Sequence, residues 1–229
     1  MYRKSILLLL SLFVMSIAHA QTIADQQLPK GENFEVPDGW EIRLDRPDDS
    51  ITVGSNPDSA DIYFVTMNPG WHLRTGPRGI FYNPANKTSG DITIHTKLHL
   101  FNPNGRNREG FGLFFGGKAL KDAEIEYVYF LIRNTGDFLI KRRIGESTEL
   151  IKDWAASDNI VIYDDPELSS VVNSLSVSVE NSMLTFFING TEVAHINADE
   201  FNVSSEGIFG LRVNHAINLH VEELGIETE

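Results

Sequence analysis

The sequence predicts an all-β domain built as a two-sheet antiparallel jelly-roll sandwich. From Trp40 onward, short runs of alternating, β-branched and aromatic residues are separated by Gly, Asn, Asp and Pro. No convincing amphipathic helix exceeds two or three turns, and the best short candidate is 148–156, anchored by Trp154. About a dozen short strands in a single sheet would leave an apolar face in water, so two packed sheets are favoured, with an up-and-down barrel as the competing architecture.

Three connections support antiparallel hairpins. Asn189-Gly190 lies between two apolar runs and supplies the positive φ angles of a tight type I′ turn. The segments 134–137 and 180–182 link further pairs of runs in the same manner. The predicted strands are 40–44, 61–67, 79–82, 91–101, 111–115, 126–133, 137–143, 173–180, 183–189, 191–196, 207–214 and 217–223.

The N-terminus has the pattern of a secretory signal. Arg3 and Lys4 precede a largely apolar stretch over 6–17, and Ala18-His19-Ala20 fits the small-x-small cleavage rule. The apolar stretch is shorter than the roughly 20 residues needed to cross a bilayer, so no membrane span is expected. The predicted organisation is a signal peptide over 1–20, a flexible lead-in over 21–35 and one β-sandwich domain over 36–229, in a bacterial protein that is periplasmic or secreted.

Composition excludes several functions. The chain has 229 residues, no cysteine, and a formal net charge of −13. Zinc fingers, iron–sulfur clusters, cysteine nucleophiles and disulfide scaffolds all need thiols. A nucleic-acid partner is not expected, because phosphate neutralisation needs a basic surface.

The order of elements over residues 70–223 resembles concanavalin A-like lectin/glucanase domains. The resemblance rests on YVYFLIRNTGDFLIKRR, NSLSVSVENSMLTFFINGTEVAHI and EGIFGLRVNHAINLHVEEL, which place a strand, an Asn-Gly hairpin and a Gly-x-x-Gly-Leu strand in that order. The similarity is to the laminin-G-like and 3-keto-disaccharide-hydrolase-like branches found in exported bacterial proteins. The resemblance implies a jelly roll with a curved sheet whose concave face often holds glycans.

The catalytic signature of the glucanase branch is incomplete in this sequence. That branch carries Glu-x-Asp-x-(x)-Glu along one strand, and the nearest match, Glu124-Ile125-Glu126, lacks the third acid. Retaining hydrolysis by a nucleophile and an acid/base on that strand is therefore disfavoured. If the domain is a glycan-processing hydrolase, the candidate acid/base residues are Glu109, Glu124 and Glu126.

Charge is distributed unevenly along the chain. Residues 70–143 carry 12 Lys and Arg against 6 Asp and Glu, whereas residues 144–229 carry 2 against 16. Strand parity places His95 with His99, Tyr127 with Tyr129 and Arg133, and Lys141 with Arg143 on polar faces. If the three strands are neighbours in one sheet, these side chains form a single surface. Such a surface suits hydroxyls and an anionic group; the alternative is a solvated strip paired with cross-strand acids.

Two further segments contribute candidate ligand contacts. Trp71, His72 and Arg74 lie between Gly/Pro turns, where they line a sugar-binding rim or plug one end of the sandwich. Arg106 and Arg108 lie in a long polar loop, and loops of this kind carry recognition residues on rigid scaffolds.

No cofactor is expected, although a structural calcium ion is possible. Asp164, Asp165 and Glu167 form the densest acidic cluster, for which a solvated loop is the alternative interpretation. The leading hypothesis is a non-catalytic carbohydrate-binding domain whose partner is a glycan or oligosaccharide, either neutral or acidic. The alternatives are a hydrolase of the same fold, of glycosidase or 3-keto-disaccharide hydrolase type, and a protein-interaction domain of the cell envelope.

Overall fold

A computed structural model describes residues 28–29, 31 and 33–227, and these residues form fifteen strands. No helix occurs among them. The strands are β1 (Glu41–Leu44), β2 (Val53–Gly54), β3 (Ile62–Thr66), β4 (Trp71–Arg74), β5 (Gly79–Thr88), β6 (Ile92–Phe101), β7 (Gly110–Lys118), β8 (Glu126–Arg133), β9 (Asp137–Ile144), β10 (Ser147–Ala156), β11 (Ser170–Glu180), β12 (Met183–Ile188), β13 (Thr191–Asn197), β14 (Gly207–Val213) and β15 (Asn218–Glu227).

The strands form two open sheets. Sheet A has seven strands in the order β1-β5-β14-β7-β8-β9-β10, and sheet B has eight in the order β13-β12-β11-β6-β15-β4-β3-β2. All pairings are antiparallel except that of the two-residue strand β2 with β3. The predicted two-sheet sandwich is confirmed, and neither sheet closes into the alternative barrel.

Alternation along the strands places the main core between the sheets. In β8 the residues Val128, Phe130 and Ile132 face inward, and in β6 the residues Ile94 and Leu98 meet them from the other sheet. Burying one such side chain stabilises the fold by about 1.5–3 kcal/mol. Packing the two sheets together therefore buries the apolar face that each sheet would expose to water by itself.

The three predicted hairpins are present. Asn189 and Gly190 have φ angles of 51° and 78°, as the type I′ turn between β12 and β13 requires. The turn between β8 and β9 uses Gly136 at φ 80°, and the turn between β11 and β12 uses Asn181 at φ 48°. These turns fix the register of their strands because loops of two or three residues leave little freedom for slippage.

One predicted element is wrong. The segment 148–156 is not a short helix but most of β10, an edge strand of sheet A paired with β9. Two register irregularities, between Leu150 and Lys152 and between Lys152 and Ala155, interrupt its alternation. Because of these irregularities, apolar and polar residues do not alternate as they do in a regular strand, and the sequence does not indicate one. The segment is nevertheless a strand because its pairing with β9 supplies the backbone hydrogen bonds.

The predicted signal peptide over 1–20 lies outside the described residues, as does much of the lead-in over 21–35. Among the described residues, no helix is long and apolar enough to cross a membrane.

Candidate functional site

The outer face of sheet A carries a second apolar cluster, separate from the core between the sheets. It is built largely from residues of β5 and β8, with Trp154 and Ile208 packed beside it. Its buried members are Ile80, Tyr82, Phe114, Leu120, Ile125, Tyr127, Tyr129, Leu131 and Leu139. An apolar floor on the outside of a sheet is a place where a ligand can displace water from nonpolar surface.

A groove of about 610 Å³ lies on this floor. Strand β8 supplies Tyr127 and Tyr129, and β9 supplies Lys141 and Arg143 directly opposite them, with registers Tyr129↔Lys141 and Tyr127↔Arg143. Arg212 enters from β14. The remaining lining residues are Asp45, Arg46, Arg78, Leu131, Leu139, Glu146, Thr148, Trp154 and Asn214. We call this feature the sheet A groove.

Asp45 gathers three guanidinium groups at one side of the groove. Arg212 donates to both of its carboxylate oxygens at 2.7 Å. Arg143 Nη1 lies 3.0 Å from Oδ1, and Arg78 Nε lies 2.9 Å from Oδ2. Arg212 is 5% exposed, so this cluster lies at the base of the groove rather than on open surface.

The two groove tyrosines are buried and act as floor rather than as stacking platforms. Tyr127 is 2% exposed and Tyr129 is 7% exposed. Burial raises the pKa of the Tyr129 hydroxyl to about 12 and also raises the pKa of Tyr127, with Arg212 opposing both shifts. Both hydroxyls therefore stay protonated at neutral pH and are able to donate hydrogen bonds.

Trp154 borders the groove from the edge strand β10. The Cζ atom of Arg133 lies 4.1 Å from the centroid of the indole, which is a cation–π contact. Arg133 is in turn held by Asp137, with two nitrogen–oxygen distances of 3.0 Å. The Thr135 hydroxyl and Arg133 lower the pKa of Asp137, so this ion pair persists at neutral pH and fixes the position of Arg133.

The parity prediction for β8 and β9 is confirmed. Tyr127, Tyr129, Lys141 and Arg143 share one face and line the groove, and Arg133 lies on the same face of β8, against Trp154. The sequence predicts this grouping correctly because both strands are regular and joined by a short turn.

The condition that all three strands are neighbours in one sheet is not met, because β6 is not beside β8 and β9. β6 belongs to sheet B, so His95 and His99 point away from the groove on the outer face of the other sheet. His99 lies directly opposite His220 of β15, and its Nε2 atom is 3.5 Å from Glu222 Oε1. The long loop after β6 leads from sheet B to β7 in sheet A. No sequence pattern in the loop predicts this change of sheet.

The segment of Trp71, His72 and Arg74 also lies in sheet B. Trp71 packs against the main core, with its ring centroid 4.8 Å from that of Trp40, as the end-plug interpretation expects. His72 is 1% exposed and bonds to Asn218 at 2.7 Å. Neither side chain borders the sheet A groove.

Arg74 and Arg106 line a second hollow, of about 540 Å³, between β4 and the loop after β6. Arg74 donates to the Pro57 carbonyl at 2.6 Å. Arg108 lies near the turn between β8 and β9, where its charge adds a smaller effect to the lowered pKa of Asp137. The polar loop therefore divides its two arginines between different parts of the surface.

The three candidate carboxylates are not brought together. Glu126 faces the interior side of β8 and accepts from Arg142 at 2.7 Å. Glu124 is exposed in the connection between β7 and β8, and Glu109 accepts from the His215 backbone at 3.3 Å. None of the three lines the sheet A groove, and Glu126 is held by Arg142.

Asp164, Asp165 and Glu167 lie in the exposed connection between β10 and β11. Asp165 accepts from the Glu167 backbone at 2.9 Å, which is a local turn contact. In residues 33–227 and the short described pieces before them, no group of three or more His, Asp or Glu side chains is arranged to hold a metal ion.

Three groove residues escape the sequence-based reasoning. Asp45 and Trp154 come from segments with no functional pattern, and Arg212 is one of only two basic residues in 144–229. The position of Arg212 within an apolar strand is the sequence feature that could have identified it, because a buried arginine needs a buried partner.

Comparison with solved structures gives the fold class. The carbohydrate-binding module CBM66 from Bacillus subtilis matches with a TM-score of 0.58 and 15% identity, covering 87% of this chain and 100% of that one. A protein of unknown function with a galectin-like fold from Bacillus subtilis matches with a TM-score of 0.51 and 12% identity, covering 82% of this chain and 88% of that one. A β-glucanase from Bacillus licheniformis has a TM-score of 0.49 and 8% identity, covering 84% of this chain and 95% of that one.

No protein-family model and no curated protein matches the sequence. The solved structures nevertheless confirm the predicted resemblance at the level of the fold: the two matches with TM-scores above 0.5 share the β-sandwich of this chain.

Proposed function

We propose that this chain is an exported carbohydrate-binding domain that holds a glycan in the sheet A groove without cleaving it. The observation that carries the proposal is the groove itself. An apolar floor, two protonated tyrosine hydroxyls, an indole wall and several guanidinium groups converge there. Sugars offer apolar C–H faces and many hydroxyls, which is the chemistry that such a lining complements.

The fold supports the same proposal. One of the similar structures is by name a carbohydrate-binding module, and it matches over its full length. Export is supported by the signal pattern over 1–20.

The acids of the groove support binding rather than hydrolysis. Its two acidic residues are Asp45 and Glu146. Asp45 is occupied by three arginines. A carboxylate held in this way is not free to contact a substrate, because its oxygens already accept hydrogen bonds from cationic donors. A hydrolase would need two carboxyl groups free to act on opposite sides of one bond.

A glycan array first identifies the polysaccharides that the protein binds. The test then measures how far each polysaccharide, included in a native gel, slows the migration of the protein. We expect Trp154→Ala to raise the dissociation constant about ten-fold, which corresponds to a loss of about 1.4 kcal/mol of binding free energy. The matched control is Trp71→Phe, which alters an aromatic residue far from the groove and should leave retention unchanged.

Four results would contradict the proposal. Binding of no glycan on the array would remove its basis, as would equal loss of retention in both tryptophan variants. Release of reducing ends from the bound polysaccharide would instead support the hydrolase. Co-purification with a protein, together with indifference to every glycan, would support an interaction domain.

A further inference from the structure

The lining of the sheet A groove has an excess of positive charge. Arg46, Arg78, Lys141, Arg143 and Arg212 line it, against the two carboxylates of Asp45 and Glu146. The imbalance is local, because the protein as a whole has a net charge of −13.

Three cations in or beside sheet A but outside the groove are held in ion pairs. Arg142 pairs with Glu126 at 2.7 Å, Lys121 with Glu41 at 2.7 Å, and Arg133 with Asp137 at 3.0 Å. In the groove, by contrast, Lys141 and Arg46 contact no carboxylate among the described residues. Lys141 and Arg46 therefore add positive charge to the groove that no side-chain ion pair in the described part of the chain offsets.

Burial makes the imbalance costly. The side chains of Arg212 and Arg143 are 6% and 13% exposed, and the one carboxylate that they share is 12% exposed. Like charges removed from water repel one another more strongly than exposed charges do. The Nε atom of Arg212 is also buried without a hydrogen-bond partner among the described residues. An additional anion near this cluster would offset that repulsion.

Donor groups remain available for such an anion. Arg143 donates to the Gly145 carbonyl, to Asp45 and to the Tyr127 hydroxyl, which uses three of the five N–H groups of its guanidinium. Arg78 reaches Asp45 through Nε and is 43% exposed, so its terminal nitrogens face solvent. Guanidinium groups presented in this way match the planar oxygens of a carboxylate or the oxygens of a sulfate.

We propose that the glycan held in the sheet A groove is anionic, with a carboxylate or sulfate of the sugar seated against Arg78, Lys141 and Arg143. This inference rests on the proposed carbohydrate-binding function and adds the chemical class of the ligand. Overall charge does not attract a polyanion to this protein, so recognition comes from the groove and weakens as salt screens it.

The experiment compares polysaccharides that differ only in charge. Retention of the protein is measured on polygalacturonate and on the same polymer after carboxyl reduction, and on dextran sulfate and dextran. We expect at least ten-fold tighter binding to one charged polymer than to its neutral partner, lost at 0.5 M sodium chloride, a concentration with a Debye length of only about 4 Å. The first pair reports a carboxylate ligand and the second a sulfate.

Equal retention on charged and neutral polymers would overturn the anionic ligand while leaving the carbohydrate-binding function intact. Failure to bind any glycan would overturn both.

Variants locate the charged contact. Lys141→Gln removes a cation with no internal partner, so the fold should be unaffected. We expect it to weaken binding of the charged polymer three- to ten-fold and to leave any binding of the neutral polymer unchanged. Lys87→Gln makes the same charge change on an exposed residue of β5 outside the groove. Equal losses in the two lysine variants would show that general charge, not the groove, is responsible.

Discussion

Arg212 donates two parallel hydrogen bonds to Asp45, each 2.7 Å long, across a sequence separation of 167 residues. The pair joins β14 in the middle of sheet A to the segment that follows β1 at its edge. Arg78 and Arg143 then complete a cluster in which one carboxylate organises three cations. This cluster ties three separate segments of the groove lining to one carboxylate.

Asp45→Asn should therefore be strongly destabilising. Removing the carboxylate charge leaves buried guanidinium groups without a counter-ion, and breaking buried ion pairs in this way costs about 3–5 kcal/mol. Urea unfolding measures the loss, and added sulfate should restore more stability to the variant than to the parent. Asp158→Asn, at an exposed site, is the control. Equal urea midpoints for Asp45→Asn and Asp158→Asn would contradict the structural role of Asp45.

Glu126→Gln should affect stability rather than ligand handling. Glu126 faces the interior side of β8 and holds Arg142, whose side chain is 9% exposed. Arg142 retains the Phe201 carbonyl at 3.2 Å, so the expected cost is about 1–2 kcal/mol. Glu124→Gln, at an exposed position, should change stability by no more than about 0.5 kcal/mol. Altered glycan retention in Glu126→Gln with unchanged stability would show that Glu126 acts at the ligand.

His220 should make stability depend on pH. Burial and the nearby His99 lower its pKa, against the opposing effect of Glu222. The unfolded chain then binds this proton more tightly than the folded chain, so stability falls as the pH drops below about 6.5 and levels off below the folded pKa.

Urea midpoints at pH 8 and pH 5 test this dependence. His220→Gln should reduce the difference between the two midpoints, and the value at pH 8 separates the structural cost of the substitution from its effect on titration. The same pH difference in parent and variant would exclude His220 as its source. His72 lies opposite His220, and Lys97 lies opposite Glu222. Both residues are kept in the variant, so that only the imidazole of His220 differs between the two proteins.

Gly190→Ala should cost about 1 kcal/mol. Its φ of 78° lies in the left-handed region, and no heavy atom lies within 4 Å of the position that an added Cβ would take. The cost is therefore conformational rather than steric. Gly190→Asn should cost less, because asparagine tolerates this region better than alanine does. Thermal unfolding ranks the two variants, and the reverse order would argue against the type I′ turn.

The sequence by itself determined the all-β class, the three hairpins and the shared face of Tyr127, Tyr129, Lys141 and Arg143. Each depends on neighbours in the chain, either through the two-residue period of a strand or through the φ angles of a short turn, and such information is local. Only the tertiary structure decided that β6 joins the opposite sheet, which removes His95 and His99 from the groove. It also decided that Asp45, Trp154 and Arg212 meet there, because contacts between distant segments follow from how the sheets pack and not from any pattern within one strand.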